Sequence, residues 1–159
     1  MRIGLIADTH GLLRPEALAA LAGCGHIVHA GDIGDPAILE RLSAIAPVTA
    51  VRGNNDTRRW ARLLPLRTTV EVAGHVLYVV HEAADLRLHP EPAHAAAVVT
   101  GHSHRPCIER RGATLYVNPG SAGPRRLKLP VTVATLQVRR GRLEGAIHEL
   151  AVPPAQHRR

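Results

Sequence analysis

Seven side chains able to bind a metal stand in short polar motifs: Asp8 and His10 in DTH, Asp32 in GDIGD, Asn54 in GNND, His81 alone, and His102 with His104 in GHSH. Carboxylate and amide oxygens mixed with imidazoles suit first-row divalent ions, manganese foremost, with iron, nickel, cobalt and zinc as the other candidates. No thiolate belongs to the set. In an extended segment residues i and i+2 share a face, so DTH and HSH can each grip an ion from one side. Seven donors exceed the needs of one tetrahedral ion. They serve two ions about 3.5 to 4 Å apart when one carboxylate bridges them, and Asp32 is the candidate for that bridge. Two divalent ions less two carboxylates leave about +2, and a shared hydroxide lowers this to about +1, a charge that attracts a phosphate anion. Such ions bring the pKa of bound water toward ~7 and polarise phosphoryl oxygens, which is the chemistry of phosphoester hydrolysis. Asn54 can bind metal through its oxygen and reach a phosphate oxygen through its amide. Arg58, Arg59 and Arg105 are candidates for bidentate phosphate binding.

These residues need elements that deliver them to one place. MRIGLIAD is an apolar run ending in Asp8, and LRPEALAALAG has helical spacing, with Pro15 near its start and Gly23 at its stop. HIVHAGDIGD and PAILERLSAIA repeat the strand and helix, and PVTAVRGNND adds a third strand entering a polar loop. This alternation predicts parallel strands with helical crossovers. Beyond about residue 66 the period becomes two, in RTTVEVAGHVLYVVHE, with Ala73-Gly74 as a hairpin turn. Strands are also expected at AAVVTG, PCIERR, ATLYVN, VTVATLQV and RLEGAIHEL. The pattern is a mixed α/β domain of two packed sheets with helices outside. Ligand sites in such sheets lie beyond the carboxyl ends of the strands, where all seven residues fall.

The chain has 159 residues, the size of one domain, expected over 1–150 with 151–159 as a C-terminal tail. Hydrophobic residues make up 45%, but with no Phe, one Trp and two Tyr the core must be aliphatic. No apolar run approaches the ~20 residues of a membrane span, and Asp8 interrupts MRIGLIAD before a signal-peptide core can form. A cytoplasmic protein is expected. Cys24 and Cys107 fit reduced thiols better than a disulfide framework. The net charge of +7 admits a nucleic-acid partner, yet Lys128 is the sole lysine, and an arginine- and alanine-rich composition equally follows from codon bias. His29, just before AGD, suits either an orienting hydrogen bond near Asp32 or a buried core position.

DTH, GDIGD, GNND, the strand-end His81, GHSH and NPGS occur in the order found in calcineurin-like metallophosphoesterases, and the chain most resembles their small single-domain phosphodiesterase branch. The resemblance implies a four-layer αββα sandwich of two mixed β-sheets flanked by helices. It implies one metal held by Asp8, His10, Asp32 and His104, and a second by Asp32, Asn54, His81 and His102. The catalytic set is then Asp32 and Asn54, with Asn54, Arg58 and Arg105 binding the substrate, a small phosphodiester. Two departures stand out. Larger members have a histidine after the metal-binding asparagine that can protonate a leaving group, where this chain has Asn55, and an amide is no general acid. Relatives commonly have glycine where Glu82 follows His81, which bears on substrate fit. A nuclease and a protein-binding scaffold, as in the retromer subunit of this fold, are the alternatives, and a homo-oligomer is compatible with any of the three.

Overall fold

The structure, a computed structural model, describes residues 1–153; residues 154–159 of the expected tail lie outside the described residues. Among the described residues ten strands form two five-stranded mixed sheets. The first contains β1 (Arg2–Ile6), β2 (His26–His29), β3 (Val48–Ala50), β9 (Thr132–Arg139) and β10 (Arg142–Glu149), in the order β10-β9-β1-β2-β3. The second contains β4 (Arg67–Val72), β5 (His75–Val80), β6 (Ala97–Val99), β7 (Cys107–Arg111) and β8 (Thr114–Asn118), in the order β4-β5-β6-β8-β7. β1, β2 and β3 run parallel, as do β5, β6 and β8. The carboxyl ends of six strands therefore meet at one edge of the sandwich.

Helices α1 (Pro15–Leu21) and α2 (Pro36–Ser43) are the crossovers. Each begins with proline in its first turn, where the missing N–H costs nothing, and Asp35 caps α2 by accepting from the Ala37 N–H at 2.9 Å. The two faces of β1 divide the core. Ile3, Leu5 and Ala7 point between the sheets against Leu77, Val79, Val99 and Val117, whereas Ile6 faces the helices with Leu21, Ile38 and Leu42. The outer face of the second sheet is covered thinly, by the 3-10 turn Ala83–Arg87 over Tyr78, Val80 and Val98. The expected hairpin is present, with Ala73 (φ 51°) and Gly74 (φ 78°) both left-handed, as a two-residue turn of this kind requires. Both cysteines are free thiols, Cys24 buried and Cys107 exposed. Among the described residues no helix is long and apolar enough to cross a membrane.

Candidate metal centre

All seven residues stand just past the carboxyl ends of β1, β2, β3, β5 and β6, and the six carboxylate and histidine members form two clusters. In the first, the Nε2 atoms of His10 and His104 lie 3.3 Å apart, 3.9 and 3.6 Å from Asp8 Oδ1. In the second, His81 Nε2 lies 3.2 Å from Asp32 Oδ2, and His102 completes the group. Asn54 Oδ1 lies 3.1 Å from His102 Nδ1, on the same side. The clusters face each other: Asp32 Oδ2 is also 3.8 Å from His10 Nε2, and Asp8 Oδ1 is 3.9 Å from His81 Nε2.

The donors fit metal ions. Atoms each ~2.1 Å from a common ion, at right to tetrahedral angles, lie about 3.0 to 3.4 Å apart, the spacing of the closest pairs here. Asp8 Oδ1 and His81 Nε2 are buried and lack any hydrogen-bond partner among the described residues, a costly state that a cation would relieve. His81 explains the need most clearly. Its Nδ1 donates to the Ala30 carbonyl at 2.7 Å, so a neutral ring turns its Nε2 lone pair directly toward the Asp32 carboxylate. A cation between them, or a proton on Nε2, resolves the repulsion.

The electrostatics of the side chains point the same way. Burial raises the Asp8 carboxyl from 3.8 to about 7, with His81 opposing and Asp32 adding to the rise. Asp32 is held well below the usual carboxylate range: burial alone would lift it, but His81 and the backbone and side-chain N–H groups of Asn55, at 2.9 and 3.0 Å, outweigh burial. Burial lowers His10, and burial with Arg126 lowers His104 to about 4, leaving both rings neutral and able to bind metal at physiological pH. Burial alone would lower the His81 ring, but the Asp32 carboxylate, the Ala30 carbonyl and, more weakly, Asp8 outweigh it and move the ring up.

The backbone is as specialised as the side chains. Asp8, His10, Asp32, His102 and His104 all have φ between 46° and 71°, the left-handed region that non-glycine residues enter only at a cost of about 1 to 3 kcal/mol each. Gly31 and Gly53 make room for them, since a Cβ at Gly53 would strike the Asp32 carboxylate and one at Gly31 would stand 2.6 Å from His81 Nδ1.

Asp56 has a role that sequence reasoning missed. Its buried carboxylate accepts from the N–H groups of Ile33, Gly34 and Gly53 at 2.8 to 3.1 Å, clamping the Asp32 loop to the Asn54 loop. His29 does not touch the Asp32 carboxylate. It accepts at Nδ1 from the Gly31 N–H at 3.1 Å, so Nε2 carries the proton and donates to Thr9 Oγ1 at 3.0 Å, and Thr9 donates on to the Ile33 carbonyl. That network joins the DTH and GDIGD loops through a fully buried imidazole, which burial pushes down to about 3. Arg58 and Arg59 are exposed around the start of the 3-10 turn Arg59–Leu63, and neither makes a side-chain hydrogen bond or ion pair among the described residues. Arg105 is exposed beside His104. The cation whose field reaches Asp8, His10 and His104 is instead Arg126, for which the sequence offered no signal.

A two-sheet α/β sandwich with aspartates, histidines and an asparagine gathered at its carboxyl edge defines a metallophosphoesterase. The sequence matches the calcineurin-like phosphoesterase superfamily domain over residues 1–141. A curated relative from Methanothermobacter thermautotrophicus, named Probable metallophosphoesterase, is 32% identical over 165 aligned positions, spanning 96% of this chain and 95% of the relative. The chain belongs to the calcineurin-like phosphoesterase superfamily, whose members use divalent metal ions to act on phosphoesters. Two solved structures share the fold. A novel archaeal phosphodiesterase superposes with a TM-score of 0.75 at 22% identity, covering 93% of this chain and 100% of that one. Wild-type Vps29 of Entamoeba histolytica, complexed with zinc, superposes with a TM-score of 0.70 at 17% identity, covering 94% and 99%.

Proposed function

We propose that this protein is a phosphodiesterase with a binuclear metal centre, one ion held by Asp8, His10, Asp32 and His104 and the other by Asp32, Asn54, His81 and His102. The observation that carries the reading is the position of Asp32 Oδ2, which faces His81 Nε2 at 3.2 Å and His10 Nε2 at 3.8 Å, so that one oxygen looks into both clusters. When bound, the ions supply an activated water nucleophile at neutral pH and Lewis-acid polarisation of the phosphoryl oxygens. Asn54 is exposed at the mouth and offers its amide N–H to a phosphate oxygen while its carbonyl faces the metal side. Asn55 holds Asp32 through two hydrogen bonds, so it orients the shared carboxylate and donates no proton to a leaving group. Two ions and two carboxylates leave a modest positive charge, which suits the single negative charge of a diester.

The fold likeness to Vps29 supports a scaffold only as a fold, and every ligand position of this chain is filled, which favours the enzyme. A domain running to about residue 150 accommodates both clusters. The test is metal stoichiometry. Protein saturated with manganese and freed of excess ion should contain two ions per chain by elemental analysis, falling to one or fewer in H81A or H104A. A plateau at one ion that neither variant changes would overturn the binuclear reading.

A further inference from the structure

The loop after NPGS brings together features that the metal ligands leave unused. Its root is pinned to the DTH segment: Ser121 Oγ donates to the Asp8 carbonyl at 2.9 Å, and the Ala122 N–H donates to the Ala7 carbonyl at 3.1 Å. Gly123 packs so closely on the backbone of Asp8 and Thr9 that no side chain fits there. From this root, Arg125 turns inward and donates to the Val152 carbonyl at 3.4 Å. Arg126 turns outward, exposed and without a hydrogen-bond or ion-pair partner among the described residues. Arg125 and Arg126 close a hollow of about 210 Å³ whose other walls include His10 and His104. An unpaired guanidinium thus shares a cavity with two metal ligands.

A second hollow, about 420 Å³, is lined by Arg105, Leu127, Lys128 and Leu129. Two of its lining residues directly follow residues of the first, Arg105 after His104 and Leu127 after Arg126. Leu127 is 88% exposed and left-handed, at φ 51°. A β-turn here would favour Asn or Gly, and burial elsewhere would favour a relaxed backbone; the leucine satisfies neither. Two leucines between two cations make a surface that accepts an apolar group with an anionic edge.

We propose that Arg126 binds a non-bridging phosphate oxygen of the substrate in the first hollow, and that Leu127 and Leu129, rimmed by Arg105 and Lys128, seat a bulky apolar ester substituent in the second. The substrate class is therefore a phosphodiester with at least one large, ring-sized substituent. The assignment rests on the phosphoesterase reading above, and it moves phosphate binding away from Arg58. Arg126 offers a planar pair of donors suited to a phosphate, and as a free side chain on an anchored loop it can meet the ligand without breaking a structural contact.

The test compares wild type, R126A, R126K and L127N, all loaded with manganese. Inorganic phosphate is titrated by calorimetry, metal content is measured, and kcat and KM are determined for bis-p-nitrophenyl phosphate and methyl p-nitrophenyl phosphate, which share a leaving group. Loss of a charge-assisted contact predicts that R126A weakens phosphate binding and lowers kcat/KM on both esters by about 10- to 100-fold, with unchanged metal content and partial recovery in R126K. L127N, whose asparagine tolerates the left-handed backbone, should lower kcat/KM several-fold more on the diaryl than on the methyl ester. R126A that binds phosphate as wild type does overturns the arginine's role, and equal effects of L127N on the two esters overturn the apolar seat. Wild type that binds phosphate but hydrolyses neither ester overturns the enzymatic reading, and the phosphate titration then judges Arg126 alone.

Discussion

Asp8→Asn should stabilise the metal-free protein while destroying its response to metal. Asp8 is fully buried, and its carboxyl is lifted from 3.8 to about 7, first by burial and then by the neighbouring Asp32. At pH 8 without metal it must nevertheless be ionised, so the native state bears an unfavourable charge worth roughly 4 kcal/mol at the upper limit. Asparagine removes that charge and keeps the fit. Its oxygen can still accept the His102 N–H that Asp8 Oδ2 accepts at 3.0 Å, its NH2 replaces the unpartnered Oδ1 among imidazole nitrogens, and asparagine tolerates the φ of 55°. His81 loses one of its two carboxylate neighbours, which offsets part of the gain. A net stabilisation of about 1 to 4 kcal/mol follows, or roughly 3 to 15 °C for a chain of this size.

The pH dependence supplies the sign. Asp8 in the unfolded chain releases its proton near 4 and in the folded chain near 7, so between these values the native state holds the extra proton. Its contribution to wild-type stability falls as pH rises through that window, and the penalty is complete above about 7. His29, His104 and His10, whose pKa values are lowered, act oppositely, since below 6.5 they protonate more readily when unfolded. Both proteins contain these histidines, so the difference between them reports Asp8 together with its coupling to the neighbouring His81. Urea unfolding of chelated wild type and D8N at pH 5, 6, 7 and 8 should show an advantage for D8N that grows with pH and levels off above 7. Manganese should then raise the stability of wild type but not of D8N, reversing their order. A difference independent of pH, or a metal-free D8N weaker than wild type at pH 8, would refute the argument.

Asp32 and Asp35 share one motif but should respond unequally. D32N should lose affinity for both ions and turnover with them, whereas D35N should change stability by less than about 0.5 kcal/mol, because asparagine caps α2 as well as aspartate does; urea unfolding and metal analysis separate the two. D56A strands the buried N–H groups of Ile33 and Gly53 and frees that of Gly34 to solvent, and should cost about 2 to 5 kcal/mol in urea unfolding, together with loss of metal from the loops it clamps. With Asn55 and Asp56 committed to structure and His29 sealed in the core, aryl phosphodiesters of rising leaving-group pKa should react progressively more slowly, and a flat series measured with manganese would reveal a proton donor.

How far the sequence discloses this site depends on which physical demand each residue meets. A metal ligand must be a polar residue of a particular type, placed where an apolar run ends, so Asp8, Asp32, His81 and His102 stand out against their strands. The Ala73-Gly74 hairpin was legible for a similar reason, since a two-residue turn needs a backbone that few residues adopt. Pairing between distant segments leaves no such trace. Nothing in VTVATLQV says that it lies antiparallel beside β1, with Arg2 opposite Gln137, although this strand carries the fold from one half of the first sheet to the other. Asp56 was equally opaque: in GNND it resembles one more polar loop residue, and only the folded backbone turns three N–H groups toward it. Arg126 fails differently, because in a chain so rich in arginine no local feature marks the one whose loop bends back to the metal ligands.

The strained backbone connects these cases. A metal site needs its donors to converge, and five of the proposed ligands converge by adopting left-handed conformations that their side chains disfavour. The stability to hold them comes from residues without ligand chemistry: Asp56 on three amides, His29 between Thr9 and Gly31, and glycines where a Cβ would collide with a ligand. Two sets of residues therefore build the centre, one chosen by the metal and one by the strain that the metal imposes. The first can be read from residue types in order along the chain. The second becomes visible only once the loops are seen in contact, and substitutions in it should cost folding stability and metal affinity together, whereas Asp8→Asn separates the two and drives them in opposite directions.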